Sequence, residues 1–98
     1  RLFLATKGGV ERHRLNDSGV FVREAPLDLG WTPDSLRWEN GLLLGSTWNK
    51  LFAAESKAEE ASTWRFAGWG LGFDQVRVAA DGDLLVPFGE FGAERLER

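Results

Sequence analysis

The chain has 98 residues, 43% of them hydrophobic, 28% charged, and a net charge of −3. That is one small domain with enough apolar residues for a core. The balance excludes a strongly basic nucleic-acid binder. The absence of cysteine excludes disulfides, zinc–thiolate sites and cysteine catalysis.

In chain order, strand-like runs alternate with Gly-, Asn- and Asp-rich turns. The chain opens on the apolar run Arg1–Thr6, with no initiator Met and no basic-then-apolar leader, and continues through Val10–Leu15 and Val20–Glu24. A second set follows: Ser35–Trp38, Leu42–Ser46, Lys50–Ala54 and Trp64–Ala67, with Ser56–Ser62 as a polar connection. A third set comprises Gln75–Val78, Leu84–Val86 and Phe91–Leu96. Asn40-Gly41 and Asp81-Gly82 each sit between two such runs, and both dipeptides predict hairpins with type I′ turns. They lie 41 residues apart. Leu36 and Trp38 recur as Val76 and Val78, Asp34 as Asp74, Leu4 as Leu44 and Val10 as Leu51, at shifts of 40 or 41.

A repeat of about 40 residues with four short strands per unit, lettered A to D, predicts an all-β protein made of antiparallel four-stranded β-propeller blades. The units run over residues 1–34, 35–74 and 75–98 of one all-β domain. The alternative is a β-sandwich, which suits the length but has no reason to repeat every 40 residues. Ten strands make about two and a half blades. The expected ring is therefore partial, completed by homo-oligomerisation or by the remainder of a longer propeller.

The segment from Leu2 to Arg12, with Lys7-Gly8-Gly9 at its centre, resembles a blade segment of the Asp-box β-propellers. That group includes sialidase-like, sortilin-like and photosystem-assembly-factor-like proteins. Leu43-Leu44-Gly45-Ser46 followed by Lys50-Leu51-Phe52 is a second copy, and Asn16-Asp17-Ser18-Gly19 falls at the Asp-box position between strands C and D. Leu15 stands where that family has Ser or Thr, and Val22 where it has Trp. The resemblance implies a fold and a turn-stabilising Asx device rather than a reaction. Sialidase chemistry of that family needs a tyrosine nucleophile, and this chain has no Tyr.

In a propeller the B–C turns and D–A connections share one face. That order gathers Trp31, Trp48, Trp69, Phe73 and Phe88 on one rim, beside Asn49, Arg65 and Glu90. Aromatic faces next to oriented polar groups suit a carbohydrate or peptide ligand, so Trp48, Asn49, Trp69, Arg65, Trp31 and Glu90 are the predicted binding residues. The competing reading places these rings in the core, as it does Trp38 in an inner strand.

No catalytic set, metal site or cofactor motif emerges. His13 is the only histidine and reads as structural, and Gly68–Gly72 lacks the Lys and helix of a phosphate cradle. Asp28, Asp34, Asp74 and Glu90 lie on or near the rim, which keeps a glycoside-hydrolase fragment as a further alternative. The expected function is a non-catalytic binding module, with a protein-assembly scaffold as runner-up. Neither a nucleic-acid nor a membrane partner is expected, since the longest aliphatic run is Leu42–Leu44. With no address signal, the default localisation is cytoplasmic.

Overall fold

The structure, a computed structural model, describes residues 1–66, 72–87 and 92–98. These form three antiparallel sheets. The first contains β1 (Leu2–Thr6), β2 (Gly9–Leu15), β3 (Phe21–Arg23) and β4 (Leu27–Asp28). The second is a four-strand meander of β5 (Ser35–Glu39), β6 (Leu42–Thr47), β7 (Lys50–Glu55) and β8 (Ser62–Arg65). The third joins β9 (Arg77–Val78), β10 (Leu84–Pro87) and β11 (Ala93–Leu96), preceded by a 3-10 turn at Phe73–Gln75.

The middle sheet is buried on both faces, which is why its strand β6 reads as a continuous apolar run instead of alternating. Leu42 and Leu44 of β6, with Leu51 and Ala53 of β7, pack against Val76, Val78, Leu84, Val86 and Leu96. The opposite face presents Leu43, Phe52 and Ala54 to Val10 and Leu27 of the first sheet, with Phe3, Leu36 and Trp31 at the margin. Each fully buried leucine here contributes roughly 1.5–3 kcal/mol. Three sheets stacked face to face, each covering the next, are therefore held by two separate cores.

Polar side chains stitch the same interfaces. Arg12 is only 5% exposed, yet among the described residues it pairs with backbone carbonyls and with no carboxylate. Its Nε donates to the Ala25 carbonyl, and Nη1 donates to the carbonyls of Ser56 (3.1 Å) and Ala58 (2.6 Å), across to the β7–β8 connection. Arg37 does the corresponding work at the other interface. Its guanidinium donates to the carbonyls of Phe73 and Val76 and lies 4.9 Å over the Phe73 ring. Glu39 Oε2 accepts from the Val78 N–H at 2.7 Å, and Asn40 Nδ2 donates to the Val78 carbonyl.

The strands depart from the sequence expectations in register and extent. Val10 and Leu51 are equivalent, but strand register puts Phe3, not Leu4, in the place of Leu44: Phe3 pairs with Arg12 as Leu44 pairs with Ala53. Leu4 points to the outer face and is 43% exposed. The outer strand of the first sheet is split in two. β3 pairs with residues 13–15 of β2 and β4 with Gly9 and Val10. The break falls at Ala25-Pro26, where proline has no N–H for the ladder and Arg12 takes the Ala25 carbonyl. β8 begins at Ser62, two residues before the expected Trp64, and the 3-10 turn occupies the start of the expected strand at Gln75. Trp38 is not core: it is 51% exposed and stacks on Phe3, with centroids 5.7 Å apart.

The two predicted I′ hairpins also diverge. Asn40 and Gly41 both have positive φ, 47° and 79°, as a type I′ turn requires. At the other hairpin only Gly82 is positive, the Gly82 N–H donates to the Ala79 carbonyl, and the Ala79 N–H donates to Asp83. That is a longer loop closed by one left-handed glycine. At Asn16–Gly19 the side chain that ties the turn is Asn16, whose Oδ1 accepts from the N–H groups of Ser18 and Val20.

Candidate functional site

One end of the stack carries the β1–β2 turn, the connection from Leu29 to Asp34 and the β6–β7 turn, and backbone bonds hold the three together. The Gly8 carbonyl accepts from the N–H groups of Leu29 and Gly30, both at 2.9 Å, while the Gly8 N–H donates to Thr32 Oγ1. The Asp34 N–H donates to the Ser46 carbonyl, and Thr47 Oγ1 donates to Asp34 Oδ2 at 2.7 Å. The Phe66 N–H donates to the Asn49 carbonyl, which ties the end of β8 to the same turn. Gly9 makes the approach feasible: a Cβ there would collide with the Leu27 carbonyl oxygen.

A cleft of about 350 Å³ opens at this end, lined by Leu29, Trp31, Lys50, Thr63, Trp64 and Arg65. Trp31 is wedged by an edge-to-face contact with Phe52, centroids 5.9 Å apart, and the Lys50 ammonium sits 5.9 Å from the Trp31 ring centre. Lys50 and Arg65 are directly opposite in the β7–β8 ladder, so both side chains leave the sheet on the face that carries Phe52 and Thr63. Trp64 lies one residue out of phase, and its ring packs against the other core. The lining contains two cations, a hydroxyl and aromatic surface. Among the described residues no carboxylate lines it.

Of the six predicted binding residues, the structure brings Trp31 and Arg65 into this cleft. Trp48 stands beside it at the tip of the β6–β7 hairpin, 60% exposed. Asn49 follows in the same turn, with its Oδ1 buried and without a hydrogen bond among the described residues. Trp69 and Glu90 lie outside the described residues, as does Phe88. Lys50 and Thr63 were absent from the predicted set. The signal for Lys50 was its place directly after Trp48-Asn49. For Thr63 only the β7–β8 register could have supplied it.

Two larger clefts lie away from this rim. The larger, about 510 Å³, is lined by Arg12, Arg14, Glu24, Pro26, Lys57 and Glu59 among others; Arg12 is engaged with carbonyls and Glu24 with Arg1 and Arg14, and the lining carries both signs of charge. The other, about 440 Å³, lies against the stacked Phe3–Trp38 pair with Arg1 and Ser56. Among the described residues, no group of three or more metal-ligating side chains converges, and no helix is long and apolar enough to cross a membrane. No protein-family model matches the chain, and neither a curated protein nor a solved structure matches it.

Proposed function

We propose that this protein is a non-catalytic carbohydrate-binding module whose three sheets are successive blades of a β-propeller. The observation that carries the reading is the cleft joining Trp31, Lys50, Thr63 and Arg65 beside the exposed ring of Trp48. Sugars present small apolar patches edged by hydroxyl groups, and a site for them pairs aromatic faces with a few fixed hydrogen-bonding groups. An apolar peptide would ask for a deeper hydrophobic groove than one lined by Lys50, Thr63 and Arg65. The propeller reading is supported by the repeat and by the way each sheet covers the next, with the A–D meander intact in the second unit.

The test is binding of the whole chain to a glycan array, compared with Trp31→Ala and Trp48→Ala. The expected result is a defined set of bound glycans, lost or weakened at least tenfold in either variant. Unchanged binding in Trp48→Ala removes that residue from the site, and a chain that binds no glycan overturns the reading.

A second reading, a protein-assembly platform, draws on the outer face of the first sheet. Leu2, Leu4, Leu15 and Phe21 are all exposed there, an apolar surface of the kind that marks association sites. A glycoside-hydrolase fragment gains no support from the cleft, which lacks the opposed carboxylates that reaction needs.

A further inference from the structure

The charge arrangement in the rim cleft points to a property the carbohydrate reading does not by itself require. Lys50 and Arg65 are a directly opposed cross-strand pair. Like charges in that position destabilise a sheet, as opposite charges stabilise it. No ion-pair partner compensates either group among the described residues.

The other arginines behave differently. Among the described residues, Arg65 is the one arginine that neither pairs with a carboxylate nor donates to a backbone carbonyl. Arg1, Arg14, Arg23 and Arg95 pair with carboxylates, Arg12 and Arg77 hold carbonyls, and Arg37 and Arg98 do both. The chain carries a net charge of −3, so carboxylates are not scarce, yet none lines this cleft among the described residues. Two uncompensated cations set side by side next to aromatic surface form a site that lacks only an anion.

We propose that the cleft binds an anionic carbohydrate, its carboxylate or sulfate seated between the Lys50 ammonium and the Arg65 guanidinium. This rests on the carbohydrate reading above and narrows it. The planar guanidinium presents a fork that matches two oxygens of either anion, and the ammonium adds a point charge from the opposing strand. The Trp31 ring, held on edge against Phe52, forms the wall against which a sugar ring lies, and the Thr63 hydroxyl is the neighbouring group for a sugar hydroxyl. Bound anion also removes the repulsion between the two cations, so binding and folding are coupled in the same direction.

The experiment is calorimetric titration of the whole chain with three probes: an oligogalacturonate, its fully methyl-esterified form and a sulfated galactan oligomer. At least one anionic probe is expected to bind tenfold or more tightly than the ester, with the advantage shrinking as salt is raised. Which of the two binds distinguishes carboxylate from sulfate. Lys50→Gln and Arg65→Gln each remove most of the preference, and Arg65→Lys retains part of it. Equal binding of acid and ester overturns the anion while leaving the carbohydrate reading standing. Binding by none of the three probes also overturns the inference, and the broader reading is then judged on the neutral glycans of the array.

Thermal unfolding supplies a second readout that does not depend on finding the right sugar. Arg65→Gln without ligand is expected to leave the midpoint unchanged or raise it, because it relieves the repulsion and spares the contact of Lys50 with the Trp31 ring. A clear fall in the midpoint would show that Arg65 is held by a favourable contact, and would overturn the argument from uncompensated charge.

Discussion

Gly45 and Phe52 face each other across the β6–β7 ladder, and a Cβ on Gly45 would enter the space of the Phe52 ring and come within 2.9 Å of Leu36 Cδ2. The glycine is there because the Phe52 ring occupies the space a Cβ would need. Gly45→Ala should cost about 1–3 kcal/mol by overpacking, read as a lower denaturation midpoint at unchanged slope. Arg12 has the opposite role: it fills a seam with donors. Truncating it to Ala leaves the Ala25, Ser56 and Ala58 carbonyls short of partners, at an expected cost of about 2–4 kcal/mol. Arg12→Lys recovers only part, since one ammonium cannot span the same three carbonyls. At the surface, the Asp83 N–H, followed by Arg95, holds the Asp81 carboxyl below the usual aspartate range. A lowered folded-state value means the contribution is present above the unfolded value and lost as pH falls through the folded one. Asp81→Asn should therefore lower stability slightly at neutral pH and converge with the wild type as pH falls, which flattens the acid end of the stability–pH profile.

At the level of elements, the hairpins behave according to their turn residues. Asn40 tolerates φ of 47° because its short polar side chain suits the left-handed region, and that side chain also reaches Val78 on the next sheet. Asn40→Ala combines the conformational cost with a lost inter-sheet hydrogen bond, about 1–2 kcal/mol in all; Asn40→Gly restores the first part only, so the difference between the two variants measures the turn. The β6–β7 turn is of another kind. Neither Trp48 nor Asn49 has a positive φ, so this two-residue connection is not one of the primed turns that match strand twist. It is instead held from outside, through Asp34 to Ser46 and Thr47 and through Phe66 to Asn49. The candidate cleft is thus built on a turn whose shape depends on neighbouring elements.

For the molecule as a whole, the radius of gyration is 14.0 Å, against about 13 Å for a compact chain of this length. The excess is what a row of sheets gives instead of a sphere. A row has two outer faces, and on the first sheet that face carries Leu2 and Leu4 with Leu15 and Phe21 around the Glu11, His13 and Arg23 cluster, in which Glu11 lies 3.2 Å from His13 and 3.1 Å from Arg23. Because every internal face of the row is covered by another sheet of the same repeat, a second copy of the chain is the expected cover. Light scattering should give a solution mass above 10.9 kDa. Leu4→Lys with Phe21→Lys should return the protein to a monomer whose unfolding midpoint no longer depends on protein concentration. A monomeric wild-type chain would remove the shared-ring idea.

Local chemistry alone carried the all-β class, the strand order of the second unit and the I′ turn at Asn40-Gly41. Alternation and turn dipeptides act over a few residues, the 40-residue period is read along the chain, and none of them needs a spatial partner to be recognised. The same pattern could put aromatics on one rim, and Trp31, Trp48, Asn49 and Arg65 do gather at one end. What it could not supply was register across sheets. A one-residue slip moves a side chain to the other face, and that slip separates Phe3 from Leu4; Trp38 keeps the face of Leu43 but sits on the edge strand, where its stack on Phe3 leaves it half-exposed. Only the tertiary structure set Lys50 opposite Arg65, split the first outer strand at Pro26 and turned Arg12 into an inter-sheet tie, because each depends on residues distant in the chain meeting at hydrogen-bonding distance. The repeat built the rim; long-range contact decided its charge.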